Sequence, residues 1–366
     1  MTKFSLQFGL ALAVGCAGAT TAVADTIYLI GGKAINEVSI TGETYKELEY
    51  KAGSKKKTVK AEKVLRVEFS AKSSLVDQAD TAAADGQIFN AISDFEEYIE
   101  GFLSKGRRPR YRWEPAYAMH RLIELNREVG DAEHLIAAVD QLIEKVPESG
   151  YVPGAYLAKA EAQFLTGKAK AAKKTLEDFK ALIQGQSLSG RWRIEQKLAA
   201  LLLDSSLKGK SLRSKLNAIS DEAGSAFPVV GNRADVAVGE SWIADGNFAK
   251  AEPIFRDVTQ SGAADMTTLA AAYTGLGDCI FKRAVGKSGD EKKQLLLDAQ
   301  IAYMRVVVVY KSESRYVPKA MFWAGRAFDE TTDSELKARA QRLYRQVRRD
   351  YQGTEWATEA GSFIKR

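Results

Sequence analysis

Two cysteines and two histidines are all that this chain of 366 residues carries of either type, and each scarcity excludes chemistry. Cys16 falls in an N-terminal segment expected to be removed or acylated, which leaves Cys279 alone. No internal disulfide can then form, even in an oxidising compartment, and stability must come from packing. His120 and His134 stand on different predicted helices of one hairpin, with no cysteine nearby and no H-E-x-x-H phrase, so neither points to a metal site. Cys279 lies inside an apolar helix with no histidine close in sequence and reads as a buried thiol. Beyond the first residues, no run approaches the ~20 apolar residues that span a bilayer.

The usual catalytic phrases are missing as well. Gly286-Lys287-Ser288 ends like a phosphate loop, but Phe281 stands where its first glycine belongs and helix precedes it. Gly185-Gln186-Ser187-Leu188-Ser189 lacks the second glycine of a nucleophile elbow, and no strand leads into it. Carboxylates are scattered over polar helix faces. The expectation is a protein that is not an enzyme and takes no cofactor and no metal.

What is present begins with a leader. MTKFSLQFGLALAVGCAGATTAVA sets Lys3 before an apolar run that closes on the small-x-small site Ala22-Val23-Ala24. Residues 1–24 therefore read as a secretory signal peptide, giving a periplasmic or secreted product that starts near Asp25. Ala13-Val14-Gly15-Cys16 resembles a lipobox, so a lipid anchor on Cys16 is the second reading. Cleavage takes Lys3 and no acid, moving the net charge from +6 to +5.

Residues 25–70 carry strand signals: TIYLI, AINEVSI, YKELEYK, KTVK and VLRVEF, separated by Gly31-Gly32, Thr41-Gly42 and Ala52-Gly53-Ser54. Five short strands predict a small antiparallel barrel or sheet. The pattern of apolar strand, Gly-Lys, then I-x-x-V-x-I resembles a small Sm-like or SH3-like barrel.

From Ser73 onward apolar residues recur at helical spacing. One pattern repeats: a small residue, a second small residue twelve on, then large residues four and three further. It runs through Ala79, Ala91, Phe95 and Tyr98, through Ala160, Ala172, Leu176 and Phe179, and through Gly239, Ala251, Phe255 and Val258. Gly277 with Ala299, Tyr303 and Val306, and Gly325 with Ala340, Tyr344 and Val347, keep the second part after longer turns. Small residues let two antiparallel helices approach, and the large ones fill the space to the next hairpin. Tyr273-x-x-Leu276-Gly277-x-x-Ile280, with Ala299-x3-Tyr303, resembles the consensus of the tetratricopeptide repeat (TPR) family across roughly residues 73 to 352. The resemblance implies a mainly α fold: a TPR-like α-solenoid of about seven helical hairpins and a last helix, Glu355 to Arg366, filling 73–366 behind a small all-β domain.

The phrase ESGYVPGA at Glu148 to Ala155 returns as ESRYVPKA at Glu313 to Ala320. Both copies lead into the first helix of a repeat, with Pro153 and Pro318 in the first turn, where a missing N–H costs little. They read as structural joints.

A solenoid's inner surface suits an extended or helical peptide. Residues four after each small residue, Phe164, Ile243, Phe281 and Asp329, are the candidates for that surface, with Phe322 and Arg326 beside them. Arg326 and Asp329 would fix the orientation of a segment of another envelope protein; the competing reading packs these side chains between repeats. Arg107, Arg108, Arg110, Arg112 and Trp113 interleave cations with an aromatic ring and offer a second kind of contact, to wall glycan or anionic lipid. Export argues against nucleic acid. By resemblance, the function expected is a non-enzymatic protein–protein interaction scaffold of the bacterial cell envelope.

Overall fold

The computed structural model describes residues 24–366 apart from 105, 107 and 366. The leader, Cys16 and Arg107 lie outside the described residues. Five strands come first: β1 (Asp25–Leu29), β2 (Ala34–Glu43), β3 (Glu47–Ala52), β4 (Lys55–Lys60) and β5 (Val64–Glu68). They pair antiparallel in the order β4-β3-β2-β1-β5. β4 and β5 are the edges of this small sheet, which is the antiparallel β domain that the strand signals predicted. Alternation explains its single core face. Val38, Ile40, Leu48 and Tyr50 are buried, while their neighbours Ser39, Glu49 and Lys51 face out. Lys55, Lys56 and Lys57 lie exposed on the edge strand β4, where charge discourages pairing with another chain.

Seven helical hairpins and a last helix follow. They are α1 (Ser74–Ala84) with α2 (Ile88–Leu103), α3 (Glu114–Val129) with α4 (Ala132–Lys145), and α5 (Val152–Leu165) with α6 (Ala169–Gly185). Next come α7 (Gly190–Leu202) with α8 (Gly209–Ala223), α9 (Pro228–Ala244) with α10 (Phe248–Gln260), α11 (Met266–Val285) with α12 (Gly289–Val309), and α13 (Val317–Asp329) with α14 (Ser334–Asp350). The last helix, α15, is Glu355–Phe363. The fold is mainly α, a solenoid of stacked hairpins behind the small sheet.

The recurring small residues sit where the pattern requires. A Cβ added at Gly239 would lie 2.6 Å from the Phe255 ring, one at Gly277 2.6 Å from Tyr303, and one at Gly325 2.6 Å from Tyr344. Each ring lies against the backbone of the first helix and is fully buried. Gly86, Gly167 and Gly246 take positive φ of 76°, 77° and 74° at the turns, a conformation that glycine adopts without strain.

The sheet is fastened to the solenoid at two places. Phe69, just past β5, stacks on Trp113 at 3.6 Å, and Tyr111 stacks on Trp113 at 5.4 Å. Trp113 is 2 % exposed and belongs to the core of the sheet. At the second place Glu43 accepts hydrogen bonds from Ser149 Oγ at 2.7 Å and from the Gly150 N–H, and the Tyr45 N–H donates to the Glu148 carbonyl at 3.0 Å. A Cβ at Gly150 would come within 2.8 Å of Glu43 and 3.2 Å of the Thr44 carbonyl. The first copy of the repeated phrase is thus the seat of the β2–β3 turn, and it carries glycine because the seat is tight.

The Gly239–Phe255 contact sets a stability test. Phe255→Ala should cost about 3–5 kcal/mol in urea unfolding, and Gly239→Ala about 1–3 kcal/mol by overpacking. Gly239→Ala combined with Phe255→Leu should cost less than the sum of the two single changes, because the smaller side chain makes room. Additive losses would show that glycine and ring do not lock each other.

Candidate functional site

The structure buries two of the six residues expected on the inner surface and leaves the other four half-buried. Phe281 and Phe322 are 7 % and 3 % exposed, so neither ring is offered to a groove. Phe281 packs on Trp323 at 5.3 Å between ring centroids, and Phe322 lies among Trp323, Trp356 and Phe363 at 5.3 to 5.7 Å. Phe164 and Ile243 are half-buried, Ile243 against the C-terminal core. The Arg326 guanidinium lies over the Phe363 ring at 4.3 Å, near the end of the array, and Asp329 is half-buried beyond it. The reason is helical geometry. At 3.6 residues per turn, a step of four returns to within about 40° of the start, so a residue four after a packed glycine stays on the packed side.

One residue further on is about 100° around the helix, and acids occupy that position: Glu161 after Ala160, Glu240 after Gly239 and Asp278 after Gly277. They face a cleft shared by the first helices. Arg315 Nη1 reaches Glu161 Oε1 at 2.6 Å across 154 residues of sequence. Lys319 Nζ meets Asp278 Oδ2 at 2.6 Å, and the Tyr303 hydroxyl donates to the other Asp278 oxygen at 2.8 Å. Glu240 makes no direct ion pair among the described residues and lies within electrostatic reach of both Arg315 and Lys319. On α3, Arg121 holds Glu124 at 2.7 Å and Asp80 at 3.1 Å. Glu313 lies close enough to feel Glu124 and Arg127, and Glu128 feels Glu313.

The second copy of the phrase therefore spans the cleft, and its departures from the first copy do the spanning. Gly150 and Gly154 of ESGYVPGA are replaced in ESRYVPKA by Arg315 and Lys319, the two cations that meet the acids of α5, α9 and α11. That difference was the available sequence signal, together with the acid one place after the small residue. Attention to what the copies share conceals it.

Burial disfavours charge on several of these acids, but at Glu124 burial is outweighed by His120 and Arg121 and the carboxyl is held below the usual range. Burial raises the Glu240 carboxyl against the pull of Arg315 and Lys319. The Glu240 side chain nonetheless stays exposed to water. Burial likewise raises Asp278 and Glu313. Glu128 is pushed up to about 7, chiefly by burial, with Glu313 and Glu124 adding to the shift and Arg121 opposing it. Behind this wall Cys279 is buried, and its thiol is pushed up to about 12. His120 stacks on Tyr151 at 4.3 Å, and His134 pairs with Asp131 at 2.8 Å.

The basic loop is divided in its duties. Arg108, Arg110 and Arg112 are exposed, and Arg108 and Arg110 line a pocket of about 380 Å³ with Glu97, Tyr98 and Phe102. Trp113, expected among the exposed contacts, is buried because its ring is the joint between sheet and solenoid.

The raised Glu128 carboxyl gives a pH prediction. Between about pH 4.5 and 7 the folded chain keeps a proton that the unfolded chain has lost, so stability falls as pH rises through that window and levels off above it. Glu128→Gln should unfold at a higher temperature than the wild type at pH 8 and at the same temperature near pH 4. Equal unfolding temperatures at both pH values would show that Glu128 titrates as an ordinary surface acid.

No known family's sequence profile matches the chain, and no curated protein matches it. Among solved structures, the chain is similar to a tetratricopeptide repeat protein from Parabacteroides merdae, at 13 % identity over 78 % of this chain and 95 % of that one, with a TM-score of 0.38. It is similar to a signal transduction ATPase with numerous domains and a tetratricopeptide repeat sensor from Pyrococcus horikoshii, at 10 % identity over 79 % of this chain and 44 % of that one, with a TM-score of 0.43. A third is the C-terminal part of a TPR repeat-containing protein from Cytophaga hutchinsonii, at 10 % identity over 78 % and 98 % of the two chains, with a TM-score of 0.32.

Proposed function

We propose that this protein is a non-enzymatic protein–protein interaction scaffold, exported to the cell envelope, whose inner cleft takes a basic segment of a partner polypeptide. The observation that carries this reading is the charge of the cleft. Glu124, Glu128, Glu161, Glu240, Asp278 and Glu313 gather there against Arg121, Arg127, Arg315 and Lys319. A local excess of acid in a chain of net charge +6 attracts cations that the rest of the surface repels. Lys or Arg of a partner entering the cleft would meet carboxylates already crowded by protein, where ion pairs are stronger than in open water.

Arg315 already pairs with one of these acids, Glu161, as a partner cation would. Its side chain is 64 % exposed, and exposed ion pairs contribute little, about 0–1 kcal/mol, so a partner cation displaces it from Glu161 at small cost. Export rests on the leader-like residues 1–24 and makes the partner an envelope protein. No helix among the described residues is long and apolar enough to cross a membrane. Binding of wall glycan or anionic lipid at the basic loop, the second reading of the sequence, keeps its arginines but loses the Trp113 ring as a stacking surface.

Selection from a random displayed-peptide library tests the reading. Enriched peptides should carry Lys or Arg, bind more weakly as salt rises, and lose about tenfold in affinity, or 1.4 kcal/mol, on Glu240→Gln. Arg315→Gln should tighten binding several-fold and shift stability by less than about 1 kcal/mol. Peptides without cations, or affinities indifferent to Glu240, would refute an acid-lined binding cleft.

A further inference from the structure

The outer face of the solenoid, formed by the second helices, holds one helix unlike its neighbours. Counting from the buried small residue, the places two and five further on are Lys174 and Glu177 in α6, and, in the two second helices on either side of α12, Pro253 and Arg256 in α10 and Arg342 and Arg345 in α14. In α12 the same places are Ile301 and Met304. Leu297 and Val308 extend this line to one apolar stripe at spacings of four, three and four residues, on a single helix face. Ile301 is 56 % exposed, Val308 66 % and Leu297 47 %. The opposite face of α12 is satisfied, with Leu296, Ala299, Tyr303 and Val306 buried against α11 and α13. Leu297, Ile301 and Val308 are thus surplus to the fold, while Met304 between them is half-buried against the core. α11 and α12, at 20 and 21 residues, are also the longest described helices.

The next second helix, α14, carries cations at the equivalent places. Arg339 pairs with Glu335 and Arg349 with Asp350, but Arg342, Arg345 and Arg348 make no hydrogen bond or ion pair among the described residues. Arg342 and Arg345 hold in α14 the places that Ile301 and Met304 hold in α12, one hairpin further along the array, with α13 packed between the two helices. Aliphatic side chains exposed on one second helix, with unpaired guanidinium groups at the equivalent places of the next, match a lipid surface whose phosphates are exposed. A second copy of this chain fits less well. Antiparallel pairing across α12 would set the α14 arginines of one copy against those of the other.

We propose that the outer face of α12 and α14 docks on an anionic lipid bilayer, with Leu297, Ile301 and Val308 in the interfacial layer and Arg342 and Arg345 on headgroup phosphates. The first helices then turn the cleft away from the lipid. This proposal does not rest on what the cleft binds.

Vesicle co-sedimentation of the full chain tests it, with every variant carrying residues 1–24 alike. Binding to vesicles with one third phosphatidylglycerol should exceed binding to pure phosphatidylcholine by tenfold or more at low salt. Ile301→Ser with Val308→Ser should weaken anionic-vesicle binding about tenfold, and Arg342→Ser with Arg345→Ser should abolish the lipid preference and its salt dependence. These side chains are exposed, and unchanged circular dichroism will confirm folding. The proposal is overturned if both variants bind as the parent does, or if no anionic preference exists. It is also overturned if the stripe variant leaves vesicle binding unchanged while abolishing self-association in sedimentation velocity, which would assign the stripe to a second copy.

Discussion

An aromatic ring resting on a bare helix backbone is the contact on which the rest of this molecule depends. Phe255, Tyr303 and Tyr344 can lie as close as they do only because Gly239, Gly277 and Gly325 have no side chain. Each lock fixes how the two helices of a hairpin approach, and close-packed interiors transmit that choice from hairpin to hairpin. It also fixes the rotation of each first helix. With the glycine turned toward the ring, the next residue is turned into the cleft, so Glu240 and Asp278 gain their common outlook from the residue before them.

The two copies of the repeated phrase show how one joint serves two ends. Both place proline in the first turn of a first helix. In the first copy the space left by Gly150 receives Glu43 of the sheet. In the second, Arg315 and Lys319 occupy the corresponding places and extend toward acids on three earlier helices. The sheet is anchored at one joint and the cleft is bridged at the other.

Much of the architecture was legible in the residues. Five strands, the change to helix after Ser73, the turn glycines and the paired small and large positions follow from local periodicity, and they recur as written in the fold. The failures have one physical origin. A spacing reports which residues share a helix face, but not which face meets a neighbour, so the step from Gly277 to Phe281 was read into the cleft when it runs into the core. Trp113 misled for a related reason, since an aromatic between arginines has the same sequence whether its ring lies in solvent or under Phe69. Closure of the cleft by Arg315 joins places 154 residues apart, a distance at which no local pattern speaks.

Intramolecular crosslinking tests the cleft most directly. In the chain that starts at Asp25 and so lacks Cys16, Glu161→Cys with Arg315→Cys provides two accessible thiols, and native Cys279 is buried and holds its proton too tightly to compete. A short bis-maleimide should join positions 161 and 315 efficiently within the folded monomer and fail to join 161 to Arg349→Cys, on the outer face. Labelling at both 161 and 315 without a link between them would mean that the second phrase does not cross the cleft, and the account of an inner, acid-lined site bridged by Arg315 would be wrong.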